Sequence, residues 1–454
     1  MTETQSGKIS KDRIELSKVV ELGYGKDKIK LKIPTENFKN LFSPKQPENT
    51  RTDIANVLTE ALENPKGKRL DKIVENKKVC VLIEDGTRAS SQKTIAKVIM
   101  PYLKGASFVI FIIATGSHDT DTPENQEIIN ALKTNASNEG LKNFEIMIHD
   151  CFNHEYISLG TTSFGTEVII NKKAYNYDVY FTISDLKTHY FAGYSNPVKN
   201  FLPGICAYKT IEQNHSLALK DDSTFLRHPY HVDPNKRTQS VAQDMVEAMN
   251  IITKNAETYT LNMITLKDKI LWAGAGNFEE ITREGILKVD EIAAFKIDEK
   301  ADYIIVSAGG YPFDGSLYDS QRALELTKNA IKDGGEILFL AECRMGDGIA
   351  PNEKAKEFFY NALSKPLDEV LKDIKKDYVL YSHKAFKFAK LLKKVKIWIK
   401  SSLSPDIVKK IHLNPINDPQ SLIDNWIEQN PEARIYAFDK GSKLAIIYDK
   451  YKEN

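Results

Sequence analysis

Short apolar, β-prone runs punctuate this chain at intervals that leave room for a helix between neighbours. Residues 78–83, 107–113, 144–148 and 178–183 form one series, and 303–306, 336–340, 396–400 and 434–438 form a second. A parallel strand pair needs a connection long enough to travel back along the sheet, so this alternation predicts parallel strands joined by crossover helices. Within the runs, apolar residues follow one another instead of alternating with polar ones, as expected of strands covered by helices on both faces. The expected fold class is α/β. At 454 residues the chain is too long for one ordinary core. Residues 277–300 read as a helix and connector, so two α/β domains with mainly parallel sheets are expected, over 1–280 and 295–454. Residues 26–33 alternate polar and apolar side chains before Pro34 and suggest an edge strand or hairpin arm. Residues 40–53, polar and proline-containing, read as a surface loop.

Charge narrows the function classes. Lys and Arg total 63 against 62 Asp and Glu, a formal net charge of +1, which provides no global field for nucleic acid or anionic lipid. No stretch approaches the roughly 20 apolar residues that span a bilayer, and the N-terminus is polar without a signal-peptide core. A cytoplasmic protein is expected. Cys80, Cys151, Cys206 and Cys343 lie far apart with no Cys-x-x-Cys pair, so they read as reduced, mostly buried thiols.

In doubly wound sheets, ligands bind beyond the carboxyl ends of the strands, where loops converge and helix N-termini point inward. After 78–83 come Glu84, Asp85, Gly86, Thr87 and Arg88, then a helix opened by Ser90 or Ser91. After 107–113 come Thr115, Gly116, Ser117 and His118. After 178–183 come Ser184, Asp185, Lys187, Thr188 and His189, then Gly193, Lys199, Pro203, Gly204 and, on a helix, His215. Three strand ends thus carry an Arg, a His, and a His-Lys-His series. Taken singly, each has a plainer explanation. A lone histidine is more often a surface or satisfied core residue than a catalyst. Lys199 could be solvated, although Tyr194, Pro197, Phe201 and Leu202 around it favour a neutral, nucleophilic amine. His215 is equally a helix-surface residue or a metal ligand, and Asp85 with Arg88 are equally a turn with a structural ion pair or part of a site. The clustering says more than any member. An NAD-dependent dehydrogenase fits poorly, because no Gly-x-Gly-x-x-Gly turn follows an early strand. A zinc hydrolase built on His118, His189 and His215 lacks close-spaced histidine pairs and leaves Lys199 unexplained.

Asp85-Gly-Thr-Arg88, Thr115-Gly-Ser-His118, His189-Tyr-Phe-Ala-Gly-Tyr-Ser195, Lys199, Leu202-Pro-Gly204 and Asn214-His215 resemble, in residues and spacing, the nickel-dependent lactate racemases. The likeness continues through Tyr24-Gly25, Ala308-Gly-Gly-Tyr-Pro312 with Leu317-Tyr318, Ala341-Glu-Cys343 with Gly346 and Gly348, and His383-Lys-Ala385. It covers nearly the whole chain. The resemblance implies a racemase or epimerase of a 2-hydroxy acid, working by hydride transfer to and from a nickel pincer nucleotide in an interdomain cleft. Separate biosynthetic enzymes would supply that nucleotide, so protein from a host lacking them would be empty. By the same resemblance Lys199 would carry the nucleotide through a thioamide and His215 would be the fourth nickel ligand. His118 and His189 would be the acid/base pair, Arg88 would neutralise the substrate carboxylate, and Asp85 would help hold the cofactor. The chemistry is coherent: removing an α-proton builds carbanion charge beside a carboxylate, whereas moving a hydride to a cationic ring avoids it. Two histidines serve because the two enantiomers present their hydroxyls on different sides.

Two departures stand out. Where the family usually has Gly-Gly-Arg before the cofactor lysine, this chain has Asn196, Pro197 and Val198. In the second domain, Asp319 and Arg322 replace the usual Gln and Lys beside Tyr318. Arg322 keeps a positive charge in a bidentate shape, and Asp319 would repel a simple carboxylate unless paired. Tyr318 and Asp319 are therefore expected to set specificity, toward a longer or polyhydroxylated acid. The alternative is a non-catalytic carrier of the nickel nucleotide. A carrier needs Lys199 and His215 but no acid/base pair, so the retained His118 and His189 favour the enzyme.

Overall fold

Every apolar run of the first series becomes a parallel strand. In the computed structural model, which describes residues 16–46, 51–86, 92–266 and 269–448, these strands are Lys78–Glu84, Phe108–Ala114, Phe144–Ile148 and Val179–Asp185. They belong to a unit spanning Gln46–Ile292. Glu257–Leu266 adds a further parallel strand beside Val179–Asp185, and Lys269–Asn277 closes that edge as an antiparallel hairpin partner. The sheet order is 269–277, 257–266, 179–185, 78–84, 108–114, 144–148. The first strand in sequence is thus internal: the chain builds outward to 144–148, then returns to build from 179–185 the other way. That reversal puts the crevice between the carboxyl ends of the 78–84 and 179–185 strands, where ligands of open α/β sheets bind. Val109 to Ile113 are all buried, which explains why the run carries no alternation. The helix Pro123–Asn138 starts where Thr122 accepts from the Asn125 N–H and Pro123 supplies a pre-set φ. It turns Ile128, Leu132 and Ala136, one residue per turn, onto this core.

The second series forms a six-stranded sheet ordered 414–415, 396–400, 331–340, 301–307, 435–438, 38–42, parallel throughout. This unit comprises Met1–Lys45 and Ala293–Asn454. The chain therefore divides within the expected connector, but its first 45 residues belong to the second unit, not the first as the 1–280 boundary assumed. The physical reason is pairing and burial. Phe38–Phe42 adds an edge strand to Ile435–Phe438, and the hairpin Ser17–Tyr24 with Asp27–Pro34 buries Val20, Leu22, Leu31 and Ile33 against Ile305, Leu338 and Trp426. Part of the expected 40–53 loop is thus strand. The hairpin arm read from residues 26–33 is present. All four cysteines are buried free thiols. Among the described residues no helix is long and apolar enough to cross a membrane.

Candidate active site

The crevice of the first unit is lined by loops tied to one another through backbone contacts. Asn196 caps a short 3-10 turn, Pro197–Asn200, by accepting from the Val198 N–H at 2.9 Å, and Pro197 fits the first position of that turn. The Asn-Pro-Val departure is therefore the local code for the turn that presents Lys199. Next along, buried Asn200 donates to the Leu82 and Ile183 carbonyls at 3.2 and 3.0 Å, pinning this turn to the ends of both strands that flank the crevice. The His118 loop is fastened to it by Gly116 N–H to Gly204 O at 3.1 Å. Gly116 has φ +59, and a Cβ there would meet Pro203 at 3.0 Å, so glycine is needed for the two loops to touch.

On this frame His118 and Asp85 form a pair. His118 Nδ1 lies 2.6 Å from Asp85 Oδ2, with the carboxylate buried and the imidazole about half exposed. A carboxylate can only accept, so Nδ1 carries the proton and the ring lone pair falls on Nε2. Asp85, expected at the cofactor, is thus engaged with His118. Arg88 lies outside the described residues, as do Ser90 and Ser91.

His189, expected in a loop, ends a three-residue strand, Lys187–His189, paired with Gly193–Ser195. Gly193 sits at φ +76, where a Cβ would fall 1.7 Å from the Arg227 carbonyl, so no other residue permits this closure. Within the turn the Ala192 N–H donates to His189 Nδ1 at 3.2 Å, which leaves the ring proton to Nε2. His189 Nε2 lies 3.0 Å from Lys199 Nζ. A ring N–H on that side has to meet the amine lone pair, so this arrangement suits a neutral, nucleophilic Lys199.

His215 sits on the helix Tyr208–Ser216 and is buried. Phe191 links it to His189, with ring centroids 5.2 and 4.6 Å away respectively. Burial pulls the His215 pKa down to about 3, so the ring is neutral at physiological pH. Its tautomer is set from behind. Asn214 donates its amide to Asp244 Oδ2 at 2.8 Å and to the Val241 carbonyl, which turns Asn214 Oδ1 toward His215 Nδ1 at 3.1 Å. Nδ1 then donates, and the lone pair falls on Nε2, the state in which imidazole ligates a metal. Asp244 itself accepts from Thr162 and Thr166. Among the described residues no three His, Cys, Asp or Glu side chains are grouped to hold a metal ion. A metal at His215 therefore has to bring other donors with it.

Between the two strand ends a small cavity is lined by Glu84, Gln92, Ser184 and Asp185 with Ile95, Ile183 and Met263. Sequence reasoning named Glu84, Ser184 and Asp185 at these strand ends but missed Asn200, Asp244 and, in this lining, Gln92 and Met263. Asn200 beside the lysine could have been noticed, whereas nothing near Asp244 marks it.

In the second unit, Tyr318, Asp319 and Arg322 share the helix Leu317–Thr327. Asp319 is exposed in the first turn of that helix, whose N-cap is Ser316: Ser316 Oγ accepts from the Asp319 N–H at 3.2 Å and donates to Asp319 Oδ2 at 2.6 Å. That cap accounts for one of its oxygens without a ligand. Arg322 is half-buried one turn further on. Tyr318 is a buried wall whose carbonyl accepts from Lys384 and whose ring lies 3.6 Å from the Lys384 ammonium. Burial pulls the Lys384 pKa down to about 8, with Asp319 opposing and Arg322 adding to the effect.

The sequence and the fold have counterparts in known proteins. The sequence matches the lactate racemase N-terminal domain over residues 24–226 and the lactate racemase C-terminal domain over 297–442. It is 30% identical to a lactate racemase of Thermoanaerobacterium thermosaccharolyticum over 369 residues, 78% of this chain and 83% of that protein. The chain belongs to the lactate racemase family. With its relatives it is an isomerase, a racemase. A lactate racemase of Lactiplantibacillus plantarum is 27% identical over 410 residues, 87% of this chain and 91% of that one. The solved apoprotein of the Thermoanaerobacterium lactate racemase superimposes with a TM-score of 0.80 at 26% identity, covering 95% of this chain and all of that one. A Thermotoga maritima structure, at TM-score 0.63 and 16% identity over 89% of this chain, shares the fold alone. Two α/β units built on parallel sheets are thus the architecture of the family.

Proposed function

We propose that this racemase interconverts the stereoisomers of a small 2-hydroxy acid, lactate being the acid for which its relatives are named, with a nickel pincer nucleotide held by Lys199 and His215. The relay from Asp244 through Asn214 to His215 carries this reading. It is a buried device whose effect is to fix one imidazole lone pair beside a nucleophilic amine, and it suits a metal that arrives with its own donors on a group attached to that amine. When bound, the nucleotide supplies the hydride-accepting centre.

The chain's own residues do the rest. His118, oriented by Asp85, offers Nε2 to take or return the hydroxyl proton of one enantiomer, and His189 serves the other. Asp85 would help seat the cofactor through the histidine it orients. Arg88 and Arg322 are assigned to the substrate carboxylate, for which a guanidinium fork is suited. Tyr318 and Asp319 are assigned to substrate choice, and with the Asp319 carboxylate already bonded to the Ser316 hydroxyl the case for a polyhydroxylated substrate is weaker than for a short one. A carrier would have no use for an imidazole held by a buried carboxylate, so the Asp85–His118 pair supports the enzyme. Cofactor-making enzymes would be its partners, in the cytoplasm.

The test is to produce the protein together with those enzymes. Intact mass should rise by the nucleotide, with about one nickel per chain, and Lys199→Ala should abolish the added mass. Single enantiomers of lactate and of longer hydroxy acids, followed by chiral chromatography, then assign the substrate. Absence of the adduct together with no isomerisation of any acid sinks the reading.

A further inference from the structure

Outside the reacting groups, one carboxylate in the first unit gathers three donors from segments that flank His189 and Lys199. Asp290, on the helix Phe278–Ala293, accepts from Tyr194 Oη at 2.5 Å on Oδ1. On Oδ2 it accepts from His231 Nε2 at 3.2 Å and Lys236 Nζ at 2.9 Å. The His231 contact is a true donation, because His231 Nδ1 is already the acceptor of the Asp233 N–H at 2.9 Å, leaving the ring proton on Nε2. Tyr194 is fully buried and His231 nearly so. Burial alone would raise the Asp290 pKa, yet the hydrogen bonds from His231, Tyr194 and Lys236 hold it below the usual carboxylate range.

The position of Tyr194 gives this hub a purpose. It lies in the strand Gly193–Ser195, paired with Lys187–His189 in the register Thr188↔Tyr194 and His189↔Gly193. Its carbonyl accepts from Asn196, the residue that caps the Lys199 turn. The 226–237 segment carrying His231 and Lys236 closes on the same hairpin, through Leu226 N–H to Gly193 O at 3.3 Å and the close approach of the Arg227 carbonyl to Gly193. Both ends of the His189–Lys199 contact are therefore reached from Asp290 in a few bonds, one through the hairpin and one through the Asn196 cap.

We infer that Asp290 is a positioning residue, which clamps the hairpin through Tyr194 and so sets the 3.0 Å approach and the ring tautomer of His189 against Lys199. The inference about geometry stands on the apoprotein; its consequence for rate rests on the function proposed above. Tyr194→Phe removes the clamp without changing packing volume. In full-length apoprotein labelled with 15N-histidine, and with His189 assigned from a His189→Gln spectrum, Tyr194→Phe should change the His189 tautomer ratio and leave the buried His149 signals unmoved. In cofactor-loaded protein the same variant should lower kcat about tenfold to a hundredfold, as expected of a small misplacement, with KM within about twofold. Asp290→Ala should do the same to the His189 signals, and Asp290→Glu should restore part of the effect. Unchanged His189 signals in Tyr194→Phe overturn the inference whatever the activity. So does a general shift of all histidine signals with a matching loss of Tm, since that is a folding defect and not a displaced base. A changed His189 tautomer in a protein that never turns over a hydroxy acid would leave the clamp standing and fault the proposed function instead.

Discussion

Acid should unfold the first unit well before the second. His149, His215 and His228 are all buried there, and burial pulls their pKa values from 6.5 down to about 4, about 3 and about 3. Each unfolded ring binds its proton near 6.5 while the folded ring does not, so the unfolded state gains protons first as pH falls. Stability that is full above about 6.5 is then lost, per group, at about 1.4 kcal/mol for each pH unit until the folded pKa is reached. At about pH 5, some 1.5 units below 6.5, each ring has withdrawn roughly 2 kcal/mol, or about 6 kcal/mol for the three together. That rivals the total stability of an ordinary domain, about 5–15 kcal/mol. Asp244, whose pKa is raised by burial, works in the opposite sense at lower pH and blunts the fall without reversing it. Hydrogen exchange read by mass spectrometry at about pH 7.5 and about pH 5 separates the units, with Phe108–Ala114 reporting one and Ile331–Leu340 the other. His228→Asn should remove about a third of the pH dependence, because the asparagine oxygen can still accept the Tyr230 N–H now held by Nδ1 at 3.1 Å. A loss below about 2 kcal/mol over this range, or equal losses in both units, would refute the reasoning.

His118→Ala and Asp85→Asn should each keep the lysine adduct, seen by intact mass, while lowering racemisation by about two to four powers of ten. A normal rate in His118→Ala removes the two-base assignment. His215→Ala should retain the adduct mass but lose nickel on dialysis, and Asp244→Ala should show a weaker version as the Asn214 amide loses its anchor; nickel content is the measurement. Gly193→Ala places a methyl on the Arg227 carbonyl at a positive φ, so a loss of more than about 2 kcal/mol in urea unfolding is expected.

What could be read from sequence follows burial. The inner strands are apolar on both faces and announce themselves, as do the loops at their carboxyl ends; of the residues read there, His189 meets Lys199, and His215 stands one ring away across Phe191. Phe38–Phe42 could not be seen, because an edge strand with three of its five residues exposed looks like a loop. Asp319 shows the opposite trap. It stands at a position that reads as substrate-facing, yet it is also three residues beyond Ser316, the spacing of a helix cap, and the cap accounts for part of its carboxylate. Asp290 and Tyr194 are 96 residues apart, and no local pattern distinguishes Asp290 from any acidic residue on an amphipathic helix.

The chain's path between its two units decides what can be cut from what. Residues 46–292 are one uninterrupted stretch with a core of their own, so that piece can be cut out without dividing a sheet. A fragment beginning at 293 is a different matter. It would lack the hairpin side chains Leu22, Leu31 and Ile33 and would bare the flank of Ile435–Phe438, leaving an uncovered apolar face and an open sheet edge that invite aggregation. Supplying residues 1–45 as a separate peptide, or joining them to residue 293 by a linker, is the route to that half of the molecule.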